Sequence, residues 1–151
     1  MKIVNLNFDI DEEKPDIDVT FSASEKDSQV MALMSRIREP LMEKITVFDD
    51  SGSSLQLQQS DIVSISTDNK KLIVVADSGT YEAHMPLRDL EKGLHPSIFL
   101  RISRYEIINL EKVKRFSFPI TGSLKIEMKN GMSTWASRRF ISEIKSRIKG
   151  E

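Results

Sequence analysis

The 151-residue chain has no cysteine, which excludes disulfides and thiolate metal sites and fits a reducing compartment. It also has no apolar run near the roughly 18 residues needed to span a bilayer. Its first residues reach Asp9, Asp11, Glu12 and Glu13 too early for a secretory signal. Together these absences predict a cytoplasmic protein. Histidine is scarce as well: His84 and His95 are the only two, and neither stands beside a nucleophile motif. The sequence contains no Gly-rich phosphate loop, no metal-spaced cluster and no G-x-S-x-G elbow. The paired carboxylates Asp49-Asp50 and Glu12-Glu13 fall in turn-like stretches and read as solvated. The expectation is therefore no enzyme, no cofactor, no metal and no small-molecule substrate.

What remains is ordinary in amount and uneven in arrangement. Apolar residues make up 39% and charged residues 30%, as in a soluble globular protein of one domain with at most a small appendage. The net charge of −1 argues against a polyanionic partner, but the distribution argues for one. Residues 1–50 hold 6 Lys/Arg against 12 Asp/Glu, whereas residues 97–151 hold 12 against 5. Such bipolarity points to nucleic acid, although a merely solvated basic face would look the same.

Periodicity divides the chain near residue 44. Val4, Leu6, Phe8 and Ile10 alternate with polar residues, and Ile17, Val19 and Phe21 do so again, which predicts two strands. Between Ser24 and Lys44 the period changes to helical, with Val30, Leu33, Met34, Ile37 and Leu41 on one face. Ser24 is the expected N-cap, and Pro40 should end or kink the helix near Glu39. From Ile45 onward short strands alternate with turns: 45–48, 55–57, 62–66, 72–76, 80–85, 99–103, 113–117, 124–128 and 133–136. Asn130-Gly131 is the strongest hairpin signal. A short helix should start at Pro86, and a last helix should run from Arg138 to Lys149 with Ile141, Ile144 and Ile148 inward. The fold class expected is mainly β (α+β). It has short antiparallel sheets, a strand–strand–helix appendage over residues 1–44, a domain over 45–151 and a C-terminal helix.

Two stretches of the basic half break the plain pattern. Phe99-Leu100-Arg101-Ile102-Ser103-Arg104-Tyr105-Glu106-Ile107-Ile108-Asn109 reads as a strand entering an exposed basic connection and returning as an apolar run. Ser137-Arg138-Arg139-Phe140-Ile141 opens a helix with two arginines in its first turn, which opposes the macrodipole by a few tenths of a kcal/mol each. A chain breaks a local rule of this kind where function requires it. An anion arriving there would meet both the missing negative charge and the free N–H groups of the first turn.

These residues also carry a family resemblance. The F-x-R-I-x-R-x-x-I-I-N stretch, followed by N-G-x-x-x-x-x-S-R-R-F, resembles the LytTR DNA-binding domain of bacterial transcription regulators over roughly Ile45 to Lys149. The resemblance implies compact antiparallel sheets whose loops project to one side, and double-stranded DNA as the partner. It places groove contacts at Lys70, Arg104 and Arg139, with Lys71, Ser103, Ser137 and Arg138 alongside. Arginine suits such work because its planar fork bonds guanine or phosphate bidentately, while Lys70 acts as a point charge.

Other residues of the motifs read as structural. Arg101 is expected to pair with Glu106 or another carboxylate or else to face a phosphate, Asn109 to bond backbone at a turn, and Trp135 to pack in the core or sheet. About 44 residues precede the resemblance, too few for a receiver domain. This resembles the stand-alone branch of the family, whose members are often restrained by a membrane-bound inhibitor protein, and the chain is expected to bind direct-repeat sites as a dimer. Residues 1–44 would then serve dimerisation or partner binding, or else complete the core. The alternative function is a protein-interaction module that turns the same basic face to an acidic protein or membrane surface.

Overall fold

In a computed structural model, the described residues are Glu13, 28–120 and 122–149. The strands expected at 4–10 and 17–21 and the cap at Ser24 lie outside them. Compactness divides the chain between Ser35 and Arg36, inside the first helix, α1 (Ser28–Leu41). Pro40 stands in the last turn of α1, which ends one residue beyond it rather than at Glu39. A proline there removes a single intrahelical hydrogen bond, so the helix can finish its turn. No α1 side chain is fully buried, and Met31, Met34 and Leu41 are exposed. The apolar face expected to be inward is thus only half covered.

Residues 36–149 carry ten strands. β1 (Ile45–Phe48), β2 (Ser54–Leu57), β3 (Ile62–Asp68), β4 (Lys71–Ala76) and β5 (Gly79–Ala83) precede a short helix α2 (Leu87–Gly93). β6 (Phe99–Ser103), β7 (Glu106–Asn109), β8 (Val113–Ser117), β9 (Leu124–Met128) and β10 (Ser133–Ala136) follow, and α3 (Arg138–Lys149) closes the chain. All pairings are antiparallel. One seven-stranded sheet has the order β2-β1-β5-β4-β3-β7-β6, and one three-stranded sheet has the order β10-β9-β8.

The seven-stranded sheet is buried on both faces, because alternate side chains point to opposite sides. Val47, Ile65, Leu72, Val74 and Ile107 pack with Leu87, Leu90 and Leu94 of the α2 region. Val63, Leu100, Ile102 and Ile108 pack instead with Leu124, Ile126 and Met128 of the small sheet and Ile144 of α3. Ile107 and Ile108 therefore face different cores from adjacent positions.

Three sequence expectations are corrected here. Trp135 is 53% exposed on edge strand β10, because its neighbours Thr134 and Ala136 take the inward positions of the alternation. Ile148 is also exposed: α3 contacts the body mainly through β6, and Ile144 is its one fully buried side chain among the described residues. β5 ends at Ala83 rather than Met85, which leaves His84 and Met85 in the connection to α2. Asn109 behaves as expected. It is fully buried, donates from Nδ2 to the Ile62 carbonyl at 2.8 Å, and accepts the Glu111 N–H at 2.9 Å.

Candidate nucleic-acid interface

Three connections form the interface, and two backbone hydrogen bonds tie them together. The first is the β3–β4 hairpin. Asp68 pairs with Lys71, so Asn69 and Lys70 are its two turn residues, with φ of +46° and +69°. Both being left-handed is what a type I′ turn requires, and its twist matches that of the flanking strands. Glycine normally occupies the second position; lysine there is strained by about 1–2 kcal/mol. The turn therefore lifts a cation to its tip at a cost in stability.

The second connection is Arg104-Tyr105 between β6 and β7. The Ser103 hydroxyl accepts the Tyr105 N–H at 3.1 Å, and the Arg101 guanidinium donates to the Arg104 carbonyl at 3.0 Å. The third is Ser137, which leads β10 into α3. The Thr67 N–H donates to the Tyr105 carbonyl at 2.8 Å, binding the first connection to the second. The Ser137 N–H donates to the Ile102 carbonyl at 2.9 Å, binding the third to the strand that feeds the second.

The result is one open cleft of about 820 Å³. Its walls carry Lys70, Lys71, Arg88, Arg101, Arg104 and Arg139, and no Asp or Glu among the described residues. The six cations differ in their pairing. Lys71 meets Glu82 at 3.3 Å, Arg101 meets Glu91 at 3.5 Å, and Arg88 lies 3.8 Å from Asp89. Lys70, Arg104 and Arg139 have no carboxylate partner among the described residues. Like charges gathered in a concavity focus the field outward and favour an incoming polyanion.

Of the sequence-predicted residues, Lys70, Lys71, Arg104 and Arg139 line this cleft. Ser103, Ser137 and Arg138 do not, and the Ser103 hydroxyl is engaged in its own turn. Arg138 and Arg139 diverge because successive helical positions are about 100° apart. Arg101 pairs with Glu91 rather than Glu106. The structure adds His84 and Met85 from the β5–α2 connection and Arg88 from the first turn of α2, together with Tyr105 and Phe140. Nothing local in the sequence marks the first three, because their direction depends on how α2 docks.

Glu106 sits just behind the cleft at the start of β7. Burial pushes its carboxyl above the ordinary range, and a hydrogen bond from the Thr134 hydroxyl at 2.6 Å partly offsets this. On the outer face of the small sheet, the Arg115 hydrogen bond holds Glu127 below the usual carboxylate range.

Residues 52–149 match the family model of the LytTr DNA-binding domain. The chain belongs to the LytTR family. Its fold is similar to a solved LytTr DNA-binding domain from Bacillus cereus, with a TM-score of 0.65 at 21% identity, covering 70% of this chain and 95% of that one. Among curated proteins it is 30% identical over 89 residues to an uncharacterized HTH-type transcriptional regulator of Staphylococcus aureus strain MRSA252. That match covers 59% of this chain and 60% of the relative. A counterpart from strain NCTC 8325 is 29% identical over the same span. The chain thus spans about three fifths of the length of these relatives. Successive α-helices in the described residues of the LytTR chain are separated by strands, so its cationic cleft is built from two β-hairpin turns and the starts of α2 and α3, and not from a helix-turn-helix. No helix among the described residues is long and apolar enough to cross a membrane.

Proposed function

We propose that this LytTR chain is a transcription regulator that binds double-stranded DNA sequence-specifically through the cleft. One observation carries the reading: among the described residues six cations line a single concavity without a carboxylate in its wall, and three of them, Lys70, Arg104 and Arg139, are unpaired. In this reading Arg104 and Arg139 enter the major groove and bond base edges, while Lys70, Lys71 and Arg88 hold phosphates. Ser103, Ser137 and Arg138 flank the contact, with Arg138 clamping a phosphate beside the start of α3.

The protein acts as a dimer on direct repeats, with residues 1–44 serving self-association or a membrane-bound inhibitor partner and residues 45–151 serving DNA. The exposed Met31, Met34 and Leu41 of α1 support a role for that region in association. Selection of duplexes from a random-sequence library tests the reading. Enrichment of a repeated motif, bound with a log K against log salt slope of roughly −3.6 per protomer for the four phosphates held by Lys70, Lys71, Arg88 and Arg138, is the expected result. No enrichment, with binding insensitive to salt, would remove it.

A further inference from the structure

Both unpaired arginines of the cleft rest on an aromatic ring from the next residue in sequence. The Arg104 guanidinium carbon lies 5.8 Å from the centre of the Tyr105 ring, and that of Arg139 lies 5.5 Å from the centre of the Phe140 ring. Both distances fall within the range of cation–π attraction. Tyr105 and Phe140 line the same cleft as the arginines they support.

Each ring is carried on hydrogen-bonded backbone. Tyr105 is 58% exposed, an unusual place for so large a side chain, yet its backbone is held on both sides. Its N–H bonds the Ser103 hydroxyl, its carbonyl accepts from Thr67, and the preceding Arg104 carbonyl accepts from Arg101. Phe140 is half-buried and packs against the core that includes Ile144 and Ile102. With no carboxylate among the described residues to hold either guanidinium, the neighbouring ring is the group the structure places against each.

We infer that Tyr105 and Phe140 are positioning residues that pre-aim the Arg104 and Arg139 guanidiniums, so that base discrimination depends on them while charge-driven affinity does not. This rests on the DNA-binding reading above. A bidentate contact to a base edge requires the planar fork in one orientation, whereas a phosphate accepts a cation from many directions. Loss of the platform leaves the charge count intact and spreads the fork over several rotamers, which lowers the preference for the right base pair over the wrong one.

The test uses the full chain and a duplex enriched by the wild-type protein from a random library, together with the same duplex changed at one base pair at a time. Tyr105→Leu is the main variant because the side chain is exposed, and Tyr105→Phe is the conservative one. The expected result is a loss of about threefold to fivefold in discrimination at one base pair per half-site for Tyr105→Leu, as removal of an exposed cation–π contact implies. The salt slope should be unchanged and Tyr105→Phe should behave as wild type. Phe140→Leu should shift discrimination at a different base pair, measured well below its melting temperature, with Phe140→Tyr restoring it. Full discrimination in Tyr105→Leu would overturn the inference, and so would equal loss in Tyr105→Phe, which would assign the effect to the hydroxyl. Failure of the wild-type protein to enrich any sequence would instead overturn the DNA-binding reading itself.

Discussion

Lys70→Gly should make the free protein more stable and its DNA complex weaker. Lys70 holds φ of +69° at the second turn position of the β3–β4 hairpin, a conformation that strains a residue bearing a Cβ by about 1–2 kcal/mol. Glycine removes this strain but loses roughly 0.5–1 kcal/mol more in backbone entropy on folding. The net gain is about 0.5–1 kcal/mol, enough to raise the melting temperature by about 1.5–3 °C in a chain of this size. The same change deletes an unpaired cation of the cleft, so the salt slope should fall by about 0.9. Lys70→Ala separates the two effects: it removes the charge and keeps the strain, so it should lose the same binding without gaining stability. Differential scanning calorimetry and salt-dependent binding titrations on the three proteins decide the matter. A Gly variant that melts no higher than wild type would refute the strain argument. One that binds DNA with an unchanged salt slope would take Lys70 out of the interface.

Other substitutions separate reading from holding. Arg104→Ala and Arg139→Ala should each cost about 1–3 kcal/mol on a selected site and relax preference at particular base pairs, while Arg138→Ala should weaken binding evenly across sequences; titrations on single-substituted duplexes distinguish these. Glu106→Gln should stabilise the protein at neutral pH. Burial raises the Glu106 pKa in the fold, so its favourable contribution is present in the protonated state and is lost as pH climbs through the raised value. The melting-temperature advantage of Glu106→Gln should therefore grow with pH above the ordinary carboxylate range, and a pH-independent difference would contradict the cause given. Asn109→Ala should cost about 2–3 kcal/mol in chemical denaturation, because it strands the buried Ile62 carbonyl and uncaps the turn at Glu111.

Much of this molecule was readable along the chain because its strands alternate cleanly. Leu124, Ile126 and Met128 face one core from β9 with Lys125 and Glu127 between them, and the sequence shows that period directly. β7 was harder. Ile107 and Ile108 are both buried, one in each core, so the strand reads only as an apolar run. Trp135 was misread because a large aromatic suggests packing, whereas the alternation of β10 gives the inward positions to Thr134 and Ala136. Lys70, Arg104 and Arg139 were legible from the motifs, but their convergence was not. It depends on the Thr67–Tyr105 and Ser137–Ile102 backbone bonds, which join residues far apart in sequence. Arg88 and His84 were invisible for a related reason, since only the docking of α2 under the seven-stranded sheet brings them to the cleft.

The central claim is that DNA meets the cleft and not another face of the domain. Backbone amide chemical shifts, followed while a selected duplex is titrated into the isotopically labelled protein, test it most directly. The account predicts that the largest changes cluster at 68–71, 84–88, 103–105 and 137–140, with little change at Arg115, Lys125 and Trp135 on the outer face of the small sheet. Changes centred on that outer face, with the cleft amides unmoved, would contradict it.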